Sequence, residues 1–218
     1  MEKEIYKKTY TEENTPGWQA IDDALEKVYS EKEPKHYGPL CGIHYAAGGT
    51  DPIDGISIYE SQEQIAHKHI VSYGMSELYY NEEAAGGEFS KWGFEFTFRL
   101  KPYKEDNGEP GWALHLMNNL ARYVNNKERW FEENQFIPGN GPIRLNTDTE
   151  IIGLLCVLDP ELGKINTVHG EVSFIQLVGI TAQELEELQK NPTTEAVEQL
   201  VNELKKDNPL LITDLERK

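Results

Sequence analysis

The sequence lacks any apolar run long enough to cross a membrane. A spanning helix needs about 20 consecutive apolar residues, and none of the 218 residues falls in such a run. The N-terminus, MEKEIYKKTYTEENT, also lacks the basic region followed by an apolar stretch that marks a secretory signal. These absences predict a cytoplasmic protein that binds no membrane.

Cysteine is scarce as well. Cys41 and Cys156 stand far apart, and the chain contains no CxxC pair. A disulfide framework needs several paired cysteines, and a cysteine-based zinc site needs closely spaced ligands. Neither is therefore indicated, and the sequence predicts two buried, reduced thiols.

Basic residues are fewer than acidic ones. The chain has 21 Lys and Arg residues against 38 Asp and Glu residues, which gives a net charge of −17. So acidic a surface repels nucleic acid and anionic lipid, and it speeds encounter with basic proteins. The excess of acid is compatible with a basic protein partner and also with solubility alone, and it argues against a nucleic-acid ligand.

Sequence signatures of catalysis and of phosphate binding are missing. The glycine-containing segments GGTDPIDG and NEEAAGGE have neither a GxxxxGK nor a GxGxxG pattern, and their acidic residues would repel phosphate. Ser72 and Ser76 lie outside any GxSxG motif. We therefore predict a protein that is not an enzyme and has no cofactor.

The composition that remains is that of a globular domain. The hydrophobic fraction is 38%, which is enough to form a core, and the length fits one domain. We predict a single domain over residues 1–218, in which residues 1–14 form a flexible N-terminal segment.

Helical and strand patterns alternate irregularly along the chain. Thr15 and Pro16 predict the start of an amphipathic helix, and Thr181 with Glu184 predicts a capping box that opens another. A further helix is expected from about Thr193 or Thr194 to Lys206. Six segments have the short β-rich composition of strands: HYGPLCGIHY, DGISIYES, WGFEFTFRL, IIGLLCVL, EVSFIQLVGI and LLITDL. This mixture predicts an α+β fold, with a mixed, mainly antiparallel sheet and helices packed against it.

WGFEFTFRL (Trp92 to Leu100) has the clearest strand alternation. Large apolar residues fall on one face, and Glu95, Thr97 and Arg99 fall on the other. The polar row fits either a cross-strand polar network or a solvated face that a partner covers. The next segment, EPGWALHLMNNLARYVNN, has helical periodicity, and we expect it to lie on the aromatic face with Asn118 in its polar stripe.

HKHIVSYGMSELYY (His67 to Tyr80) and WGFEFTFRL, joined by a short glycine-rich loop, resemble the signature of the suppressor of fused domain family. The resemblance continues, in order, through PKHY, DPIDGISIY, WALHLMNNLARYV, LDPELG, VSFIQLVGIT and LLITDLERK. It covers most of the chain. It implies the fold of the N-terminal domain of suppressor of fused and a role in holding a protein partner.

The resemblance also suggests which partner. Short bacterial members of the family look like immunity or antitoxin proteins that bind and silence a toxin, often a nuclease. It therefore implies neutralisation of a basic toxin by tight binding, in agreement with the acidic charge. A regulatory scaffold that binds a host protein is the alternative.

Five residues are candidates for partner contacts. Glu77 occupies the position of an acidic residue that animal members place near a bound peptide. The segment HKHI resembles the family's HWHY. In this resemblance Lys68 and Ile70 stand where the family has tryptophan and tyrosine. Tyr79 and Tyr80 are interface candidates because a phenol combines apolar area with a hydrogen bond.

His67 and His69 form the basis of a rival hypothesis. Two residues apart on a strand, their imidazoles point the same way, as two metal ligands would. A third ligand such as His44, Asp51 or Glu77 would have to complete the site of a small metal-dependent hydrolase. Two ligands do not make a site, and histidines on strands more often serve structural hydrogen bonds, so no metal is predicted.

Overall fold

The computed structural model describes residues 2–30, 32–38, 51–104 and 108–218. Within these ranges the chain has the predicted α+β fold, with five helices and eight strands in one sheet. In chain order the elements are α1 (Lys3–Thr9), α2 (Pro16–Tyr29), β1 (Lys35–Tyr37), β2 (Gly55–Ser61), β3 (His67–Tyr73), β4 (Phe89–Leu100), α3 (Gly111–Lys127), β5 (Gln135–Pro138), β6 (Ile151–Leu158), β7 (Lys164–Thr167), β8 (Gly170–Thr181), α4 (Ala182–Lys190) and α5 (Thr194–Asp207).

The sheet is mixed but mainly antiparallel, as expected. Its strand order is β1-β2-β3-β4-β8-β6-β5, and β7 pairs with the N-terminal part of β8. The β4–β8 pairing is parallel, whereas the other strand pairs of the described sheet are antiparallel. The two central strands therefore join a meander of early strands to a group of late ones.

The aromatic face of β4 packs under α3, which confirms the helix-on-sheet arrangement. Phe96 and Phe98 share a core cluster with Leu114 and Met117 of the helix. The predicted polar stripe of α3 is wrong at one position, because Asn118 is buried. Its Nδ2 donates to the Leu114 carbonyl one turn earlier, at 3.0 Å, so the helix itself satisfies the amide nitrogen.

The opposite face of the sheet is covered in two parts. Ile21 and Leu25 of α2 pack against Val71 and Phe174. Further along the sheet, α4 and α5 cover β6 and β8 through a third cluster of apolar side chains, which comprises Leu155, Val157, Val178, Ile180, Leu185, Leu188, Val197, Val201 and Leu211. Both faces of the central strands are therefore buried.

Several details differ from the expectations. The N-terminal segment expected to be flexible contains α1, and its Tyr6 is fully buried. LLITDL is mostly buried but forms no strand, since only an isolated bridge links Leu100 to Thr213. Thr15 precedes α2 as expected, yet its side chain makes no capping hydrogen bond. The Thr181–Glu184 capping box is confirmed.

Part of the chain lies outside the described residues. Most of HYGPLCGIHY falls there, including Cys41 and His44, whereas β1 pairs with β2 as expected. Cys156 is a buried free thiol, as predicted, and burial raises its pKa to about 12. Among the helices of the described ranges, none is long and apolar enough to cross a membrane.

Candidate partner-binding site

Three of the five predicted contact residues lie in the loop that follows β3. We call residues 74–81 the contact loop; it contains Glu77, Tyr79 and Tyr80. The loop has no regular secondary structure, so its shape depends on groups from other parts of the fold.

The first half of the contact loop is folded around the carboxylate of Glu95. The backbone N–H groups of Gly74 and Ser76 both donate to Glu95 Oε1 at 2.9 Å, and the Ser76 hydroxyl donates to it at 2.6 Å. The Ser72 hydroxyl donates to Oε2, also at 2.6 Å. Burial raises the pKa of Glu95, but these donors favour the charged form. The loop therefore closes around a buried carboxyl group whose two oxygens both accept hydrogen bonds.

The middle of the contact loop abuts the N-terminus of α2. The N–H of Gly17 donates to the Leu78 carbonyl at 3.1 Å, and that of Trp18 donates to the same oxygen at 3.3 Å. A Cβ at Gly17 would lie 1.8 Å from the Glu77 carbonyl oxygen, so only glycine permits this approach. The helix start thus fixes the backbone that carries Glu77.

His169 and Tyr6 hold the loop from a second side. A carbonyl oxygen can only accept, so His169 Nδ1 is the nitrogen that donates to the Glu77 carbonyl, at 3.1 Å. Burial lowers the pKa of His169, and in the neutral ring Nε2 accepts from the Tyr6 hydroxyl at 2.8 Å. That hydroxyl in turn accepts from the N–H of Asn81 at 3.0 Å. Helix α1 is therefore part of the site.

The side chains of the contact loop differ in accessibility. Tyr79 is 48% exposed. Glu77 is half-buried, and its carboxylate accepts from Asn81 Nδ2 at 2.8 Å. Tyr80 stacks on Tyr6 with ring centroids 5.2 Å apart and donates to Glu82 at 2.7 Å, and this hydrogen bond raises the pKa of Tyr80 to about 12. The contact loop therefore presents the carboxylate of Glu77 and the phenol of Tyr79 on a backbone that other parts of the fold hold in place.

The other two predicted contacts lie on β3, away from the loop. Ile70 is fully buried in the core under α3, so its prediction as a partner contact is wrong for this fold. Its aliphatic side chain packs with the aromatic row of β4. Lys68 is mostly buried and donates to Glu109 at 2.5 Å, with Glu60 3.7 Å away. Its charge is already paired within the chain.

The polar row of β4 forms an internal network rather than a surface. Arg99 donates to Asp159 Oδ2 at 2.6 Å and to Glu161 at 2.7 Å, and it also bonds Gln176. The Thr97 hydroxyl donates to the same Asp159 oxygen at 2.8 Å. Burial opposes ionisation, but the charged partners hold the pKa of Asp159 well below its ordinary range. The side chains of Arg99 and Asp159 are fully buried.

His69 belongs to this network. Its Nε2–H donates to Asp159 at 3.1 Å, and its Nδ1 accepts from the Tyr29 hydroxyl at 2.7 Å. Desolvation, with the neighbouring Arg99, lowers the pKa of His69 to about 4. Its side chain has no solvent exposure, so solvent and substrate do not reach the imidazole. The hydrolase hypothesis therefore lacks an accessible base here.

His67 lies beside it with a different environment. Its Nδ1 donates to the Ile65 carbonyl at 2.8 Å, and its buried Nε2 has no protein partner among the described residues. Within those residues, no three His, Cys, Asp or Glu side chains come together in a way that would hold a metal ion. His44, the suggested third ligand, lies outside them.

Sequence reasoning missed an open groove at the start of β4. This aromatic groove has a volume of about 560 Å³, and its apolar lining comprises Phe89, Trp92, Phe94, Trp130, Phe131, Leu158 and Ile175. Its lining comes from β4, from the segment after α3 and from the ends of β6, β7 and β8. The aromatic pair WF at 130–131 was the available signal, but nothing local to it indicated which strand it faces.

The model of the family described as suppressor of fused protein (SUFU) matches residues 49–218. The chain belongs to the suppressor of fused family. The suppressor of fused homologs of Mus musculus and Homo sapiens are each 32% identical to it over 210 residues, covering 92% of this chain and 43% of the relative. The chain thus spans less than half the length of these relatives.

Solved structures of the family have the same fold. Drosophila Suppressor of Fused matches with a TM-score of 0.79 and 28% identity, over 95% of this chain and 52% of that one. A chain of the Sufu-Fu complex matches with a TM-score of 0.78 and 29% identity, over 94% and 92%. A SUFU homolog from Neisseria gonorrhoeae matches with a TM-score of 0.61 and 15% identity, over 93% and 95%, which bears on the fold alone.

Proposed function

We propose that this suppressor of fused domain is a protein-binding module without catalytic activity, and that its partner is a basic protein. The observation that carries the proposal is the contact loop, which presents Glu77 and Tyr79 on a backbone held by Glu95, α2 and His169. A surface that is ordered before binding loses less entropy on association.

Two further observations support a protein partner. A family member has been solved in the Sufu-Fu complex, so the same fold holds a protein there. The net charge of −17 favours fast association with a partner of opposite charge. The fully buried His69–Asp159 pair, in turn, gives no accessible acid or base for a hydrolase.

The finer role that we propose is neutralisation of a toxin. In this mechanism the acidic contact loop covers a basic functional surface of the toxin, so that inhibition is steric and electrostatic. The toxin would be a basic enzyme such as a nuclease, because such enzymes carry positive charge where they bind phosphate.

The test is capture of the partner by the full chain from its own cells, followed by affinity measurement with the purified partner. Glu77→Lys should weaken binding at least about ten-fold, since it places like charges together at the interface. The matched control is Glu198→Lys, which makes the same change of charge at an exposed position on α5.

Three outcomes would count against parts of this proposal. Equal affinity of the two variants would remove Glu77 from the interface. Capture of no protein, or of an acidic one, would remove the basic partner. A basic partner that does not harm cells when expressed alone would replace neutralisation of a toxin by a regulatory role.

A further inference from the structure

The aromatic groove is an uncovered part of an otherwise buried sheet face. Its floor consists of Phe94 and Ile175, which continue the apolar row that α3 covers further along the strands. Phe89 and Trp130 rise on either side of this floor, and they are 56% and 55% exposed. The helix therefore ends before the apolar face does.

An irregularity in β4 builds one wall. Between the pairs Phe89↔Glu171 and Phe94↔Ser173, β4 advances by more residues than β8, so the register shifts. Gly93 has a φ of +78°, and a Cβ there would lie 3.3 Å from the Cβ of Phe89. Phe89 thus folds back over the glycine and stands at the edge of the groove.

The opposite wall is placed by aromatic packing. Phe131 contacts Phe96 with ring centroids 5.9 Å apart and stacks on Tyr123 at 6.0 Å. The neighbouring Trp130 donates its indole N–H to Glu132 at 3.1 Å. The segment after α3 is therefore fixed at Phe131, while the indole ring of Trp130 remains largely in solvent.

Acidic residues outnumber basic ones in the lining of the groove, with Glu132, Glu133 and Glu171 against Lys91 and Lys164. Its two lysines are engaged within the chain: Lys164 pairs with Glu171 at 2.9 Å, and Lys91 donates to the Gly74 carbonyl. Glu132 and Glu133 also line the groove and are exposed. Aromatic walls with an acidic rim complement an apolar side chain that has positive charge beside it.

We propose that the aromatic groove binds a segment of a partner protein that inserts a bulky apolar side chain, Trp, Phe or Leu, flanked by Lys or Arg. The volume of about 560 Å³ is in the range of sites that enclose a ligand or a few side chains. Partially exposed aromatic residues are frequent anchors of such interfaces. This inference rests on the proposed function and names the chemistry of the segment that is recognised.

The groove and the contact loop are structurally linked. Ser90 follows Phe89 in β4, and its hydroxyl accepts from the N–H of Glu77 at 2.9 Å. Lys91 is the next residue, and its amine donates a hydrogen bond to the carbonyl of Gly74 at the start of the contact loop. A partner that touches Glu77 can therefore continue into the groove.

The test uses three short synthetic peptides labelled with fluorescein. The first has Trp and Leu at its centre and Arg and Lys at both ends. The second replaces Trp and Leu by Ala, and the third replaces the basic ends by Glu. Binding of each to the full chain is measured by fluorescence anisotropy at low and high salt.

The variants are Phe89→Ala and Trp130→Ala, with Leu145→Ala as the control, because Leu145 is also apolar and is 80% exposed outside the groove. Substitutions at such exposed positions usually change stability little, and circular dichroism checks that each variant is folded. We expect saturable binding of the first peptide, weakened at least about ten-fold by either groove substitution and not by Leu145→Ala.

Absence of saturable binding to the wild-type chain, or binding that Phe89→Ala and Trp130→Ala leave unchanged, would overturn the inference. Equal binding of the acidic peptide would overturn the charge preference. A native partner whose affinity falls with Glu77→Lys but not with the groove variants would leave the proposed function standing and remove the groove from it.

Discussion

From Phe94 to Leu100 the two faces of β4 are both buried, but by different means. The aromatic face, with Phe96 and Phe98, is covered by apolar side chains of α3. The polar face, with Glu95 and Arg99, has no more exposure than the aromatic one. Alternation along a strand therefore tells which residues share a face, while exposure depends on what the rest of the chain places over it.

The two faces also differ in what stabilises them. Burial of an aromatic side chain is favourable in itself, at about 25 cal/mol per Å² of apolar area. Burial of a charge is costly unless partners compensate, as Asp159 does for Arg99 and as four donor residues do for Glu95. The polar face is therefore the one that a single substitution should damage most.

Asp159→Asn should produce the largest effect. The change keeps the shape of the side chain but removes the fully buried one of the two carboxylates that pair with Arg99, at 2.6 Å. Breaking such a pair costs about 3 to 5 kcal/mol. The free energy of unfolding, measured with guanidinium at neutral pH, should fall by that amount.

The control for this prediction is Asp214→Asn. Asp214 also pairs with a cation, Lys101, at 2.7 Å, but both side chains are about one third exposed. Such a pair contributes about 0 to 1 kcal/mol. A cost for Asp159→Asn no greater than that of the control would show that Arg99 is compensated without Asp159.

Lowering the pH should have the next largest effect, because it destabilises the polar face. The pKa of His69 is lowered from 6.5 to about 4, so the unfolded chain binds a proton that the folded chain excludes. The associated stability is fully present above pH 6.5 and is lost as the pH falls toward 4. One group with this shift accounts for about 3 kcal/mol.

This pH dependence can be assigned to His69 by substitution. His36, His67 and His169 have lowered pKa values as well and act in the same direction. His69→Gln should therefore reduce, but not abolish, the slope of unfolding free energy against pH between 6.5 and 4.5. Identical slopes for the variant and the wild type would contradict the assignment.

Gly93→Ala should have the smallest effect on stability and a local effect on the aromatic face. Alanine in the left-handed region costs about 1 kcal/mol, and its methyl group would press on Phe89 at the wall of the groove. We expect a modest loss of stability together with altered tryptophan fluorescence from Trp92 and Trp130.

Gly163→Ala is the matched control. Gly163 also has a positive φ, of +56°, but open space surrounds its position, so the substitution has the backbone cost without a contact. Both variants should lose similar stability, while only Gly93→Ala should change the fluorescence. A fluorescence change in both would contradict the role of the Gly93–Phe89 contact.

Features that depend on neighbours in sequence were predictable. The capping box at Thr181 and Glu184 needs only residues three apart. The strand alternation in β4 follows from local composition, whereas the pairing of IIGLLCVL with EVSFIQLVGI could not be read from it. The family resemblance added the fold and pointed to the loop that carries Glu77.

Features that depend on distant partners were not predictable. Tyr6 is ordered by His169, which lies 163 residues away in sequence, so its segment looked flexible. The position of Ile70 in HKHI predicts a partner contact, yet α3 covers this side chain. The aromatic groove combines Phe89, which precedes α3 in the sequence, with Trp130, which follows it, and no sequence periodicity connects the two.

The parallel pairing of β4 with β8 has a consequence for the order of folding. Phe98 pairs with Leu177, so this contact closes a loop that contains α3, β5, β6 and β7. The strands before and after this parallel pair are antiparallel to their neighbours, and their partners lie closer to them in the sequence. Because closing a long loop costs entropy before its contacts form, we expect the early strands and the late strands to assemble separately. The Arg99 network then forms only when the two halves meet.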